Sequence, residues 1–133
     1  MIKKTLFILI LSTAIIACKR PVNSDKLYGQ WEYVKIDHPN ADGLTDTIST
    51  AELKANAPYI DFSKNGKLSI VWGGKILSQG TYRISGNNIN YTEQLPDGKT
   101  RTFPFWVSKL DDKNIVFETV GNDASRVTAV KRN

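Results

Sequence analysis

The chain carries one thiol, Cys18, and one imidazole, His38. Cys18 follows Ile15-Ile16-Ala17 and precedes Lys19-Arg20. A thiol set directly after a small residue, at the end of an apolar run, suits cleavage before the cysteine and acylation of its sulfur. His38 stands beside Pro39, and no Gly-x-Ser-x-Gly elbow supplies a nucleophile for it. Glu32, Glu93 and Glu118 fall on different segments, and nothing in their spacing demands that two of them meet. His38, Asn40 and Asp42-Gly43 echo a calcium loop only faintly. That loop needs Asp first and a bidentate Glu twelfth, where this chain has His38 and Ser49. The residues therefore predict neither an enzyme nor a metal site, and no cofactor is expected.

The segment before Cys18 explains the thiol. Lys3 and Lys4 make a positive start, and Thr5 to Ala17 is uncharged and rich in Leu and Ile. A positive start, a short apolar run and small residues before the cut mark a secretory signal over residues 1–17. The run is too short to span a bilayer, which takes about 20 apolar residues. The tetrad Ile15-Ile16-Ala17-Cys18 resembles the lipobox of bacterial lipoproteins. That resemblance implies that Cys18 becomes the first residue of the mature chain, with a diacylglyceryl group on its sulfur and an acyl chain such as palmitate on its amine. One acyl chain holds a protein only marginally, whereas two or three hold it firmly. Lys19-Arg20-Pro21 replaces both the Asp that retains lipoproteins in the inner membrane and the acidic residues that accompany surface export. The expected address is the outer membrane, with the domain facing the periplasm.

Removing 17 of 133 residues leaves the length of one domain. With Cys18 acylated no thiol remains, so packing alone must hold the core. The formal charge of +5 falls by two when Lys3 and Lys4 leave. The remaining basic residues, such as Lys35, Lys54, Lys75 and Arg101, are scattered singly, and no basic stripe interleaved with aromatics marks a nucleic-acid surface.

Residues 18–26 read as the lipidated terminus and a polar linker, and residues 27–133 as the domain. Leu27 to Ile36 suits a strand, and Asp37 to Thr47 a loop. Ser49-Thr50-Ala51-Glu52 is a capping box, with Ile48 and Leu53 placed as a hydrophobic staple, so a helix is expected over Thr50–Ala57, bounded by Pro58. That helix can lid one end of the domain or merely fill a long connection. Beyond Pro58 the pattern alternates with period two. Turns are expected at Asn65-Gly66, in the primed form that needs positive φ at both residues, and at Gly73-Gly74, Ser85 to Asn87, Pro96 to Gly98, Asp111 to Asn114 and Gly121 to Asp123. The result is eight short strands joined by tight connections. An open meander would expose two edges, and closing it removes them, so an all-β, eight-stranded up-and-down antiparallel barrel is expected, with a sandwich as the alternative. Pro104 cannot donate to a ladder and predicts a bulge or a seam.

Gly29-Gln30-Trp31 on the first strand resembles the Gly-x-Trp of lipocalins, in which a basic residue near the chain end covers the tryptophan. Arg132 is the expected cover for Trp31. Phe62-x-x-x-Gly66, Gly80-Thr81-Tyr82 and Gly86-Asn87 are similar to small lipocalin-like lipoproteins of Bacteroidetes. The helix between strands one and two departs from most lipocalins, which place theirs near the end.

If the barrel closes, its inward face holds Phe62, Leu68, Ile70, Trp72, Tyr82, Tyr91, Phe103, Phe105 and Phe117, together with Ile60 and Ile89. Two functions compete for that face. One is a cup for a small hydrophobic ligand; the other is a filled barrel serving as a protein-interaction or inhibitor module, with its contacts near Pro104 and Trp106 or on Asp37 to Thr47.

Overall fold

A computed structural model describes residues 21–39, 48–120 and 124–133. The proposed signal, Cys18, most of the Asp37 to Thr47 loop and the Gly121-Asn122-Asp123 turn lie outside the described residues. Eight strands form a closed antiparallel barrel in chain order. They are β1 (Gly29–Asp37), β2 (Tyr59–Phe62), β3 (Lys67–Trp72), β4 (Lys75–Ser85), β5 (Asn88–Gln94), β6 (Thr100–Leu110), β7 (Asn114–Glu118) and β8 (Arg126–Lys131). The seam closes between the first and last strands, where Trp31 lies opposite Lys131 and Asp37 opposite Arg126.

Closure needs sharp curvature, and bulges supply it. The register slips between Tyr33 and Lys35, between Ile70 and Val71, and between Val107 and Lys109. Gly80 marks the tightest approach. A Cβ at Gly80 would sit 1.9 Å from the Thr92 carbonyl oxygen, so β4 can press against β5 there only without a side chain. Gly73 and Gly74 both take positive φ, as a primed turn requires. The Asn65-Gly66 turn differs from expectation. Only Gly66 is left-handed, and Ser63 and Lys67 flank a three-residue loop, so Asn65 avoids the strain of a positive φ.

Pro104 interrupts nothing. It lies opposite Asn90 in an unbroken β5–β6 ladder, and β6 pairs with β7 only from Trp106 onward. The missing N–H falls on the stretch of β6 that precedes its pairing with β7, so the closed barrel accommodates Pro104 with neither the bulge nor the open seam expected there.

Two short helices sit at opposite ends. The helix α1 (Ser24–Leu27) replaces what the sequence suggested was linker and the start of β1. Asn23 caps it by accepting from the Asp25 N–H, and Leu27 turns inward with no exposed surface. One turn is too short for periodicity to reveal. The helix α2 (Thr50–Asn56) starts at the foreseen cap, where the Ser49 side chain accepts from the Glu52 N–H. It ends at Ala57, whose φ of 41° is left-handed ahead of Pro58. Leu53 is buried in the barrel core and Ile48 packs against that core, so the staple docks α2 beside β1 at the end opposite α1.

Candidate functional site

The nine inward residues expected to line a cup divide into three levels. Phe62, Leu68 and Tyr82 form the floor, next to α1. Phe62 and Tyr82 meet edge to face at 5.3 Å, and the Tyr82 hydroxyl donates to the Ser63 carbonyl at 2.8 Å. Burial raises the Tyr82 pKa to about 12, because the phenolate has little water to solvate it.

Tyr91, Phe105 and Phe117 form the waist. Tyr91 and Phe105 stack at 5.7 Å, Phe105 and Phe117 lie 5.2 Å apart, and Tyr33 meets Phe117 at 6.2 Å. These are packing distances for aromatic pairs and leave no room between rings. Floor and waist side chains are buried in one continuous core, so six of the nine are packing residues. Only the third level of the nine keeps apolar side chains partly exposed.

Ile70, Trp72 and Phe103 form the rim at the far end, partly exposed and packed down onto the core. Beside them lies a polar group that the sequence reading did not single out. Ser78 bonds the Tyr91 hydroxyl at 2.6 Å and donates to Glu93, whose other carboxylate oxygen accepts from Arg101 Nε at 2.6 Å. Arg101 also lies over the Phe103 ring at 5.3 Å. Register brings the four together across three strands. Gly80 pairs with Glu93 and Glu93 with Arg101, while Ser78 is two residues before Gly80 on the same face. Strand parity was the available signal: Glu93 is two residues from Tyr91, and Arg101 two from Phe103, both expected inward. Burial raises the Tyr91 pKa against the lowering effect of its bond to Ser78, so the hydroxyl stays protonated and can donate.

The two ends differ because one is sealed. Trp31 is fully buried, and its indole N–H donates to the Leu27 carbonyl at 2.8 Å. The cation over the Trp31 ring is Lys131, at 5.0 Å, and not Arg132. Lys131 is the register partner of Trp31 and shares its inward face. Arg132, one residue on, faces outward, where it lies over Tyr59 at 4.1 Å and 3.8 Å from Glu32. The Lys131 ammonium also donates to the Lys26 carbonyl, tying α1 across the opening. Gly29 completes the seal: its φ is 122°, and a Cβ there would strike the Lys131 stem at 2.9 Å.

Other expected sites come to less. His38 Nδ1 lies 3.3 Å from the Ser125 hydroxyl. No group of three His, Cys, Asp or Glu able to hold a metal occurs among the described residues. Glu32 and Glu118 stay apart from Glu93, paired with Arg132 and Arg126. A groove of about 590 Å³ runs between residues 21–26 and the end of β6, lined by Val22, Lys26, Trp106, Lys109 and Leu110 among others.

Neither a family model nor a curated protein matches the sequence. A solved structure does: a lipocalin-like protein from Bacteroides uniformis is similar with a TM-score of 0.57 and 19% identity, over 80% of this chain and 99% of that one. Together with the closed eight-strand topology and the sealed Gly-x-Trp end, that likeness identifies the fold of this chain as a lipocalin-like barrel.

Proposed function

We propose that this protein is a lipoprotein of the outer membrane, anchored through Cys18 with its domain in the periplasm, and that the open end of its barrel binds a small hydrophobic ligand with a polar head. The observation that carries the reading is the contrast between ends. The floor is plugged, while the rim leaves Ile70, Trp72 and Phe103 partly exposed beside Ser78, Tyr91, Glu93 and Arg101. Ligand sites combine an apolar wall with a few fixed polar groups, and the rim has that composition. The filled waist limits the ligand to a shallow seat, so part of it stays outside the barrel or under α2.

A filled barrel acting as an interaction or inhibitor module is the second reading, favoured by the packed aromatic waist. Native mass spectrometry of the purified protein after exposure to a bacterial lipid extract, followed by titration with palmitate, separates the two. The ligand reading expects a retained adduct and saturable binding that Trp72→Ala and Phe103→Ala each weaken. No adduct and no saturable binding would leave the interaction module.

A further inference from the structure

We propose that the sealed end of the barrel rests on the membrane, with anionic lipid headgroups meeting Lys26, Lys64, Lys109 and Lys113, so that the open end points away from the bilayer. The inference rests on the lipid anchor proposed above and adds an orientation to it.

Reach is the first argument. The chain is pinned to the sealed end at Val22, whose N–H donates to the Gly86 carbonyl at 2.9 Å. Val22 is four residues from Cys18, a span of at most about 14 Å. The longest strands, β4 and β6, run 11 residues each. At about 3.3 Å per residue and a tilt of about 40°, the barrel is roughly 28 Å tall. An acylated Cys18 therefore cannot sit in the bilayer while the open end touches it.

Charge is the second. The α1 end and its turns carry Lys26, Lys64, Lys67, Lys109, Lys113 and Lys131 against Asp25, Asp61, Asp111 and Asp112 among the described residues. Lys26, Lys64, Lys109 and Lys113 are exposed there. Two of them already neutralise nearby acids, Lys26 with Asp112 at 3.8 Å and Lys109 with Asp111 at 4.0 Å, so the excess is modest and the attraction should weaken with salt. Lys19 and Arg20, next to the anchor, add to it. A basic segment beside an acylated residue is the usual second signal that holds a protein on an anionic surface. The groove between residues 21–26 and β6 lies at this same end, and its lining combines Lys26 and Lys109 with Val22 and Leu110, a mixture that suits the boundary between headgroup and acyl chain.

One feature points the other way. Ile76 and Leu77, 60% and 67% exposed, sit on the hairpin at the open end, Val120, 61% exposed, follows β7 at the same end, and all three would favour that end in an unanchored barrel. The tether overrules them, and they are left at the open end, where a ligand or a carrier would approach.

The full-length acylated protein in nanodiscs of phosphatidylethanolamine and phosphatidylglycerol tests the orientation. Acylation leaves no native thiol, so Lys64→Cys at the sealed end and Lys99→Cys at the open end can each take one spin label. A nickel-chelating lipid should relax the label at position 64 several-fold more strongly than that at 99. Lys26→Glu with Lys113→Glu should reduce that contrast, and so should high salt. Equal relaxation, the reverse order, or a contrast untouched by charge reversal would overturn the proposal while leaving the anchor intact. Intact mass measurement reads the anchor separately: an unmodified Cys18 would remove the anchor and the orientation together.

Discussion

The two ends of this barrel use the same eight strands and opposite chemistry. At the α1 end, a buried indole, the stem of a lysine and one helical turn close the opening, with the indole N–H and the ammonium both donating to backbone carbonyls of α1. At the α2 end, Leu53 packs into the core, and partly exposed Ile70, Trp72 and Phe103 accompany a hydroxyl–carboxylate–guanidinium chain that Ser78 and Arg101 bring beside Ile70 and Phe103. Sealing an end takes large side chains in fixed contact. The α2 end keeps apolar surface within reach of solvent beside polar groups held in place, as the proposed ligand seat requires. The comparison teaches where stability and function should separate under mutation.

Gly80 serves both ends, because its close approach to Thr92 aligns Leu68 below with Glu93 above. Gly80→Val should destroy the distinction altogether, at a cost of several kcal/mol, and yield no cooperative unfolding transition by circular dichroism. Trp31→Ala should break the sealed end alone. Truncating a buried tryptophan costs about 3–5 kcal/mol, so the melting temperature should fall by ten degrees or more, roughly. Trp72→Ala is the matched change at the rim and should cost under about 1.5 kcal/mol, since its ring is only partly buried, yet weaken ligand binding. Equal melting losses for the two tryptophans would mean that the ends do not differ as described.

Lys131→Ala should lose the cation over Trp31, worth about 0.5–2 kcal/mol, and shift Trp31 fluorescence. Arg132→Ala should leave that emission alone, because Arg132 covers Tyr59. The smallest effect belongs to Asp37, at the α2 end of β1. Its bidentate bond from Arg126 holds the carboxyl below the usual range, aided by Lys35 and opposed by partial burial. A carboxylate with a lowered folded pKa stabilises fully above its unfolded value of about 3.9 and loses that contribution as pH falls through the folded value. Asp37→Asn should therefore flatten the acid limb of stability below about pH 4, measured by urea melts, and change nothing at neutral pH beyond the lost ion pair.

The strand sequence was legible because alternation from Tyr59 onward is nearly unbroken and glycine marks most of the turns. The capping box gave α2 to within a residue. The seal was legible in its tryptophan and not in its cation: whether residue 131 or 132 faces inward depends on the β1–β8 register, which the bulge at Tyr33 to Lys35 shifts by one. The single turn of α1 carries no period. The Ser78–Glu93–Arg101 chain needed the alignment of three strands, although inward parity alone marks each member. The filling of the waist could not be read either, since the same aromatics at the same parity build a wall or a plug according to barrel width.

The three tryptophans offer the most direct test, one sealed at Trp31, one at the rim at Trp72, and one against the groove at Trp106. Indole N–H resonances of nitrogen-15-labelled protein, followed during titration with palmitate, read all three at once. The account predicts that the Trp72 resonance moves and saturates while Trp31, bonded to the Leu27 carbonyl, stays in place. A shift at Trp31 with Trp72 unmoved would contradict it.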